Sequence, residues 1–429
     1  MLTLWNTDLS VEYRMILAFV TSLVFSLVLG GPLINFLRSW QKFGQPIRED
    51  GPQSHLQTKK GTPTMGGILI LGTAILSIFL FANITYHFVW VSMLILIMYG
   101  LTGFLDDYWK VKRQSSNAMT AGMKLFLQFL TALIAASIIT AATPRGINTV
   151  LFFPDFDKIL MVILLLCMPF ICSIILAIGG MAPDNKESWA MFYIFSFSFC
   201  MVIYILLGVF MYKHGVFGLT ETLGMLIGAT SETSSYIKDF FINLSWLYVP
   251  FAVIVISGTS NAVNLSDGLD GLASGLLIIV FTFFMGVAYY CGFHNAISHN
   301  MLYIPRCSEV AVVCASLIGS CLGFLYFNKP KAKVFMGDTG SLALGAVLGA
   351  IAVMTKSEIL LAIVGGVFVA ETVSVMIQVL YFKATGKRFF KMAPIHHHFE
   401  QLGWSEKKVV LCFWGTAIML AALGSLAFI

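Results

Sequence analysis

The stretch HFVWVSMLILIMYGLTGFLDDYWKVK, residues His87–Lys112, joins a long apolar run to a cluster of charged groups. Residues 87–105 are almost wholly apolar, and their number suits a helix that crosses a hydrocarbon core about 30 Å thick. Two adjacent acids follow, then Tyr108, Trp109 and lysines, which is typical of a membrane–water interface. The stretch therefore predicts a membrane-spanning helix with a charged end.

The composition of the whole chain extends this pattern. Of 429 residues, 58% are hydrophobic and 11% are charged, and the mean hydropathy is +0.87. Soluble domains average roughly 25% charged residues. The composition excludes a soluble globular protein, and the abundance of Phe excludes a disordered one. We predict an all-α fold, a polytopic integral membrane helical bundle.

Twelve apolar stretches are long enough to cross a membrane. They lie near 15–37, 64–83, 87–105, 121–142, 159–180, 189–211, 242–258, 268–290, 309–327, 339–354, 358–382 and 409–428. The segment of about 159–240 differs from the rest, because a polar stretch follows its two closely spaced spans. We predict a single integral membrane domain over 1–429, with an accessory inserted hairpin and polar segment at about 159–240.

The distribution of basic residues predicts the orientation. Alternate loops carry 19 of the 26 Lys and Arg residues on one side and seven on the other. The richer side is cytoplasmic by the positive-inside rule, so both termini lie outside. The eight Cys residues show no metal-binding spacing. Cys291 and Cys307 flank one loop, and free thiols are favoured over a disulfide between them.

Five of the 21 acids occupy predicted cytoplasmic helix ends in three clusters. The first is Asp106–Asp107, and paired carboxylates of this kind suit proton abstraction or cation binding. Lys110 follows and can receive an anionic substrate. The alternative for each cluster is a solvated helix end, but three clusters on one side favour a functional site.

The second cluster repeats a polar residue every three positions, at Asn261, Asn264, Asp267 and Asp270, just before a predicted span. Its amides and carboxylates can bind a sugar or a base, or the cluster is simply a polar helix start capped by Asp267.

The third cluster places Asp338 between small residues, including Gly337, which let a diphosphate or hydrated Mg²⁺ approach. Phe335 either stacks on a base or is an interfacial aromatic residue.

Three further features accompany the acids. His396, His397 and His398 lie in a predicted cytoplasmic loop, where phosphate contact is favoured over a zinc site. Lys59 and Thr64 precede the second span, where contact with a phosphate or nucleotide competes with a plain topological role. Glu371 lies inside a predicted continuous span, and an ionisable residue there is a functional candidate. Together these features suit phosphoryl transfer between a soluble anionic donor and a lipid acceptor, assisted by a divalent metal.

Five motifs, in this order, resemble those of the phospho-N-acetylmuramoyl-pentapeptide transferase family: GTPTMGG, LDDYWK, NAVNLSDGLDGLA, VFMGDTGSLALG and MAPIHHHFE. The resemblance implies ten core transmembrane helices, both termini periplasmic, in the bacterial inner membrane, with the two extra spans belonging to the inserted hairpin. It implies Mg²⁺-dependent transfer of phospho-MurNAc-pentapeptide from UDP-MurNAc-pentapeptide to undecaprenyl phosphate. It also implies lipid I and UMP as the products, in the first membrane step of peptidoglycan synthesis, which serves cell shape and division.

The resemblance also implies roles for individual residues. Asp338 resembles the Mg²⁺ ligand, Asp106 the group that deprotonates or orients the lipid phosphate, and Asp107 its support. The residues that resemble nucleotide and sugar contacts are Lys59, Thr64, Asn261, Asn264, Asp267, Asp270, Phe335 and Gly337. Those that resemble phosphate or other substrate contacts are Lys110, Lys124, His396, His397 and His398.

Two other functions compete with this interpretation. A related transferase would use UDP-GlcNAc to make a polyprenyl-linked GlcNAc-1-phosphate, but the PIHHHFE motif favours the muramoyl branch. A secondary transporter would place its ionisable groups near the membrane midplane, whereas here they gather at the cytoplasmic ends. The motifs indicate membrane lipid partners and no nucleic acid. They leave open a homodimer, and a one-step or two-step mechanism.

Overall fold

The computed structural model describes residues 9–41, 61–114, 119–153, 240–293, 296 and 301–428. Its helices are α1 (Val11–Gln41), α2 (Gly67–Phe81), α3 (His87–Arg113), α4 (Ala121–Ala142), α5 (Tyr248–Ser266), α6 (Leu272–Cys291), α7 (Ser308–Asn328), α8 (Gly337–Met354), α9 (Glu358–Val364), α10 (Gly366–Thr385), α11 (Ile395–Gln401) and α12 (Glu406–Ser425). Two short strands, β1 (Val150–Phe153) and β2 (Phe240–Asn243), form a two-stranded sheet.

The described helices confirm an all-α polytopic membrane fold. Nine of them, in the part of the chain that the structure describes, are long and apolar enough to cross a membrane, and α2 is a shorter apolar helix. The helix predicted at 121–142 has these bounds in α4. The spans predicted at 159–180 and 189–211 lie outside the described residues.

The prediction of one continuous span over 358–382 is wrong. The helix ends at Val364 and a new one begins at Gly366, with Gly365 between them. Glycine pairs are a common cause of helix breaks, because glycine adds no side-chain packing and loses more backbone entropy in a helix. Glu371 consequently lies in the first two turns of α10, rather than far along one long helix.

Two central helices form the core of the bundle. α7 packs against α1, α6 and α2, and α8 packs against α5 and α3. Small residues let α8 approach its neighbour closely: a Cβ atom at Gly345 would lie 2.7 Å from Cα of Ser260. The outer helices α1, α4, α10 and α12 expose apolar side chains, as lipid-facing helices do.

The chain divides into two compact units. The first holds Met1–Phe152 and Ile242–Ala422, and the second holds Phe153–Phe241 and Leu423–Ile429. All described candidate site residues of the sequence analysis belong to the first unit. Cys291 and Cys307 are buried free thiols there, as the sequence favoured.

Candidate active site

The paired acids lie on α3, about two turns before its end, and they face different partners. Asp106 accepts a hydrogen bond from the backbone N–H of Met119 at 3.1 Å, which ties α3 to the start of α4. Lys110 lies one helical turn further on, with its Nζ atom 2.7 Å from Oδ2 of Asp106. Both acids are buried, with Asp106 3% and Asp107 0% exposed, so each acid requires partners that compensate its desolvation.

Asp107 caps the N-terminus of α8 from across the bundle. Its carboxylate accepts hydrogen bonds from Asp338 N–H at 3.2 Å, Thr339 N–H at 3.0 Å and Thr339 Oγ1 at 2.8 Å. A carboxylate at this position satisfies otherwise unpaired N–H groups and interacts favourably with the helix dipole. Asp107 therefore fixes the position of Asp338. The resemblance implies instead that Asp107 supports Asp106, and that role stays a prediction.

Asp338 and Asp106 share two lysines. Lys110 Nζ lies 2.9 Å from Oδ2 of Asp338, and Lys124 Nζ lies 2.5 Å from the same oxygen and 3.4 Å from Oδ2 of Asp106. Lys124 lies in the first turn of α4, where Thr120 caps the helix by accepting a hydrogen bond from Met123 N–H. Two carboxylates and two ammonium groups thus form one partly buried cluster, which we call the Asp–Lys centre.

The polar row of the second acid cluster is divided by the end of a helix. As predicted, the row precedes a span, because α6 begins at Leu272. However, Asn261 and Asn264 lie in the last turns of α5, and Asp267 and Asp270 follow that helix. Asn264 Nδ2 donates to Oδ1 of Asp338 at 2.7 Å, which joins α5 to the Asp–Lys centre. Asn261 Nδ2 donates to Oε1 of Gln128 at 2.8 Å.

Asp270 is positioned in the turn between α5 and α6, against the segment that leads to Asp338. Its Oδ2 atom accepts a hydrogen bond from Ala332 N–H at 3.0 Å, and its own N–H donates to Glu406 at 2.8 Å. The structure therefore places Asp270 beside the approach to α8, while Asn264 contacts Asp338 directly.

Thr64, Phe335 and Gly337 meet where the turn before α2 pairs with the turn before α8. Phe335 N–H donates to Pro63 at 2.9 Å, and Gly66 N–H donates to Phe335 at 2.8 Å. Gly337 has a φ of 72°, and a Cβ atom there would lie 2.5 Å from Asp107 Oδ2 and 2.7 Å from Thr64 Oγ1. A side chain at residue 337 would therefore collide with the site. Lys59 lies outside the described residues.

We predicted that the three histidines lie in a loop. They belong instead to the short helix α11, which begins after Pro394. His396 is fully buried, and its Nδ1 atom lies 3.0 Å from Oε2 of Glu371 on α10. A Cβ atom at Gly268 would overlap the His396 ring, so this histidine packs against the turn between α5 and α6.

The other two histidines are less buried. His397 Nδ1 lies 2.7 Å from Oε2 of Glu400, and His398 Nδ1 accepts a hydrogen bond from Lys391 N–H at 3.2 Å. Substrate contact by the three histidines remains a prediction.

Several residues that the sequence analysis passed over complete the site. Thr339 follows Asp338 and supplies two of the hydrogen bonds to Asp107. Gln128 lies one helical turn after Lys124 and binds Asn261. Its helical spacing from Lys124 could therefore have predicted that Gln128 faces the site. Gln41, which binds the backbone of Thr64, has no such signal, because its partner is distant in sequence.

The Asp–Lys centre is chemically suited to a cation and to phosphates. Among the described residues, no three His, Cys, Asp or Glu side chains form a metal-binding cluster. Mg²⁺ bound with phosphates usually needs only one or two carboxylates, and Asp338 and Asp106 supply two that already share cationic partners. The donor set therefore fits Mg²⁺, and the two lysines fit anionic oxygens.

The fold and this centre define a polytopic helical membrane protein with a carboxylate–lysine site at one end of the bundle. Residues 166–356 match Glycosyl transferase family 4, and residues 59–71 match the phospho-N-acetylmuramoyl-pentapeptide-transferase signature 1.

Two relatives carry the name phospho-N-acetylmuramoyl-pentapeptide-transferase. The one from Dinoroseobacter shibae is 40% identical over 95% of this chain and 91% of its own. The one from Rickettsia prowazekii is 41% identical over 96% and 92%. The chain belongs to the phospho-N-acetylmuramoyl-pentapeptide-transferase family.

Proposed function

We propose that the protein transfers phospho-MurNAc-pentapeptide from UDP-MurNAc-pentapeptide to undecaprenyl phosphate, giving lipid I and UMP. The family membership supports this reaction in peptidoglycan synthesis, and we propose the bacterial inner membrane as its location. The observation that carries the proposal is the Asp–Lys centre, where Lys110 and Lys124 both bridge Asp106 and Asp338. Such a centre matches a reaction between two phosphate-bearing substrates.

In the net reaction, an oxygen of the lipid phosphate becomes bonded to the phosphorus that carries MurNAc. The bond from that phosphorus to the UMP oxygen breaks, and its electron pair leaves with UMP. Asp106 accepts the proton of the lipid phosphate where that group is protonated. Lys110 and Lys124 bind phosphate oxygens and stabilise the charge that develops on them.

We also propose that Mg²⁺ is required, with Asp338 as its protein ligand and Asp106 beside it. Bound there, Mg²⁺ would neutralise charge on the donor diphosphate. Asn264 holds Oδ1 of Asp338, while both lysines contact Oδ2, so the residue is oriented before any substrate binds. Asp107 adds to this by fixing the backbone of Asp338.

The experiment is turnover in vesicles that contain the purified protein, undecaprenyl phosphate, Mg²⁺ and defined UDP-sugars, with products identified by mass. We expect lipid I and UMP from UDP-MurNAc-pentapeptide, and loss of both after chelation of Mg²⁺ or in Asp338→Asn. Product from UDP-GlcNAc alone would identify the related hexosamine transferase instead. Solute flux without release of UMP would identify a transporter.

Three further features, the membrane topology, the domain organisation and the oligomeric state, complete the proposal. We propose that both termini are periplasmic and the site cytoplasmic. We propose one transferase domain over 1–429, with the 159–240 segment as an accessory insertion. We propose a homodimer as the oligomeric state, which light scattering of the detergent-solubilised protein tests directly.

A further inference from the structure

Gln41, the last residue of α1, uses both polar groups of its side chain on one residue of the turn before α2. Its Nε2 atom donates to the carbonyl of Thr64 at 3.0 Å, and its Oε1 atom accepts from Thr64 N–H at 2.9 Å. The Gln41 side chain is buried, with an exposure of 3%. The pair of bonds therefore fixes both the position and the orientation of the Thr64 backbone.

The turn that Gln41 holds has a strained backbone. Met65 has a φ of 69° although it is not glycine, and its side chain is fully buried. A residue in this conformation persists only where the surrounding structure restrains it. Backbone hydrogen bonds to Phe335 and Met336 restrain one side of the turn, and Gln41 restrains it from α1, with a further contact of 3.7 Å to Sδ of Met65.

The held turn presents the Thr64 hydroxyl to the site. Thr64 Oγ1 is buried and has no hydrogen-bond partner. It lies close to Gly337, on the side where Asp107 Oδ2 also lies. A buried hydroxyl without a hydrogen-bond partner is costly. The position of this hydroxyl beside the start of α8 therefore points to a hydrogen-bond partner that is supplied by the bound substrate or by a rearrangement of the nearby carboxylates.

We infer that Gln41 is a positioning residue for the UDP-linked donor: it holds Thr64, and thereby its hydroxyl, against Gly337 at the start of α8. The inference rests on the proposed function, because the donor is the substrate that this turn would meet. Gln41 itself acts only through Thr64, so it is not a catalytic residue. Its loss should weaken donor binding while the Asp–Lys centre remains assembled.

Gln41→Met tests this inference, because Met has a similar length and neither hydrogen-bonding group. We expect KM for UDP-MurNAc-pentapeptide to rise on the order of tenfold, the effect of losing two ordinary hydrogen bonds with partial compensation. We expect kcat at saturating donor and KM for undecaprenyl phosphate to change by less than about twofold. Gln41→Glu, which keeps the acceptor for Thr64 N–H but turns an oxygen towards the Thr64 carbonyl, should also raise KM for the donor.

Ser77→Ala is the matched control. Ser77 Oγ donates to Ala18 at 2.7 Å, so it also joins α2 to α1 through a buried side chain. It lies ten residues beyond Gly67, about 15 Å along α2 from the turn. We expect Ser77→Ala to lower the melting temperature without changing KM for the donor.

Three results would overturn the inference. They are an unchanged donor KM in both Gln41 variants, a fall in kcat with donor KM unchanged, and an equal rise in donor KM in Ser77→Ala. Wild-type turnover separates this failure from failure of the proposed function. If the wild type makes no lipid I, the proposed function is wrong and the inference falls with it; if it does, the variants alone decide.

Discussion

At the scale of single residues, the two adjacent acids on α3 have different tasks. Asp107 accepts three hydrogen bonds from the start of α8, whereas Asp106 contacts the two lysines. In Asp107→Asn, an amide NH₂ would face N–H donors, so we expect turnover to be lost and unfolding free energy to fall by about 2 kcal/mol or more.

Asp106→Asn is the comparison, because its oxygen can still accept from Met119 N–H. We expect it to lose turnover with a smaller loss of stability. Thermal melting and kcat, measured on the same purified samples, check both variants. Equal melting temperatures for the two variants would contradict the assignment of Asp107 to the α8 N-terminus.

Gly337 gives a second test at this scale. Gly337→Ala places a methyl group against Asp107 and Thr64 and also forces an L-residue to a φ of 72°. Gly386→Ala imposes nearly the same backbone cost, at a φ of 69°, with no atom within 4 Å of its Cβ. We expect at least a tenfold loss of kcat/KM for Gly337→Ala and wild-type kcat/KM for Gly386→Ala. Equal effects would mean that backbone strain, rather than the site contact, limits residue 337.

The sequence revealed part of this centre. Asp106 and Lys110 are one helical turn apart on a predicted helix, so their proximity follows from helix geometry. The contacts of Asp338 with Lys124 and Asn264 join distant parts of the chain, and no local pattern predicts them. The polar clusters of the sequence marked Asn264 and Asp338 as candidates, whereas the role of Lys124 was indicated only by the family resemblance.

At the scale of elements, the buried contact between α10 and α11 is the clearest structural addition. Glu371 and His396 are both fully buried and bound to each other at 3.0 Å. Breaking a buried pair leaves one polar partner unsatisfied. In a double-mutant cycle with Glu371→Gln and His396→Gln, we expect a coupling free energy of about 1.5–3 kcal/mol.

The His397–Glu400 pair is the matched control for that cycle. It joins two residues of α11 itself, and both side chains are partly exposed. We expect a coupling of less than about 1 kcal/mol there. Thermal unfolding of the four proteins in each cycle, the wild type included, gives both coupling free energies. Equal values would show that the α10–α11 contact stabilises the fold no more than the partly exposed pair does.

Hydropathy predicts the bounds of a helix well where one apolar stretch forms one helix, and poorly where the backbone breaks within an apolar stretch. The predicted and observed bounds of α4 coincide at 121 and 142. The break at Gly365 is invisible to an averaged hydropathy, because the residues on both sides are apolar. The histidine segment was misread for a related reason: a seven-residue helix is too short to show helical periodicity.

At the scale of the whole molecule, the described residues form buried or partly buried ion pairs at both ends of the bundle. Asp106 lies 19 residues after the start of α3, which is about 29 Å along the helix. Just before that start, Asn83 N–H donates to Glu309, which also forms a buried ion pair with Arg14. The ion pair fastens α1 to α7 at the end of the bundle opposite the Asp–Lys centre.

Because the two ends of α3 are far apart, the orientation predicted from the basic residues can be tested by labelling each end. Thr85 precedes α3 and Gln114 follows it; both are exposed, and the 27 residues between the helix ends span about 40 Å. Because basic residues gather on the Gln114 side, that side should be cytoplasmic. In intact cells, a membrane-impermeant maleimide should label Thr85→Cys and not Gln114→Cys, while both should react after lysis. The unsubstituted protein, which exposes Cys412, gives the background, and labelling of Gln114→Cys alone in intact cells would reverse the proposed topology.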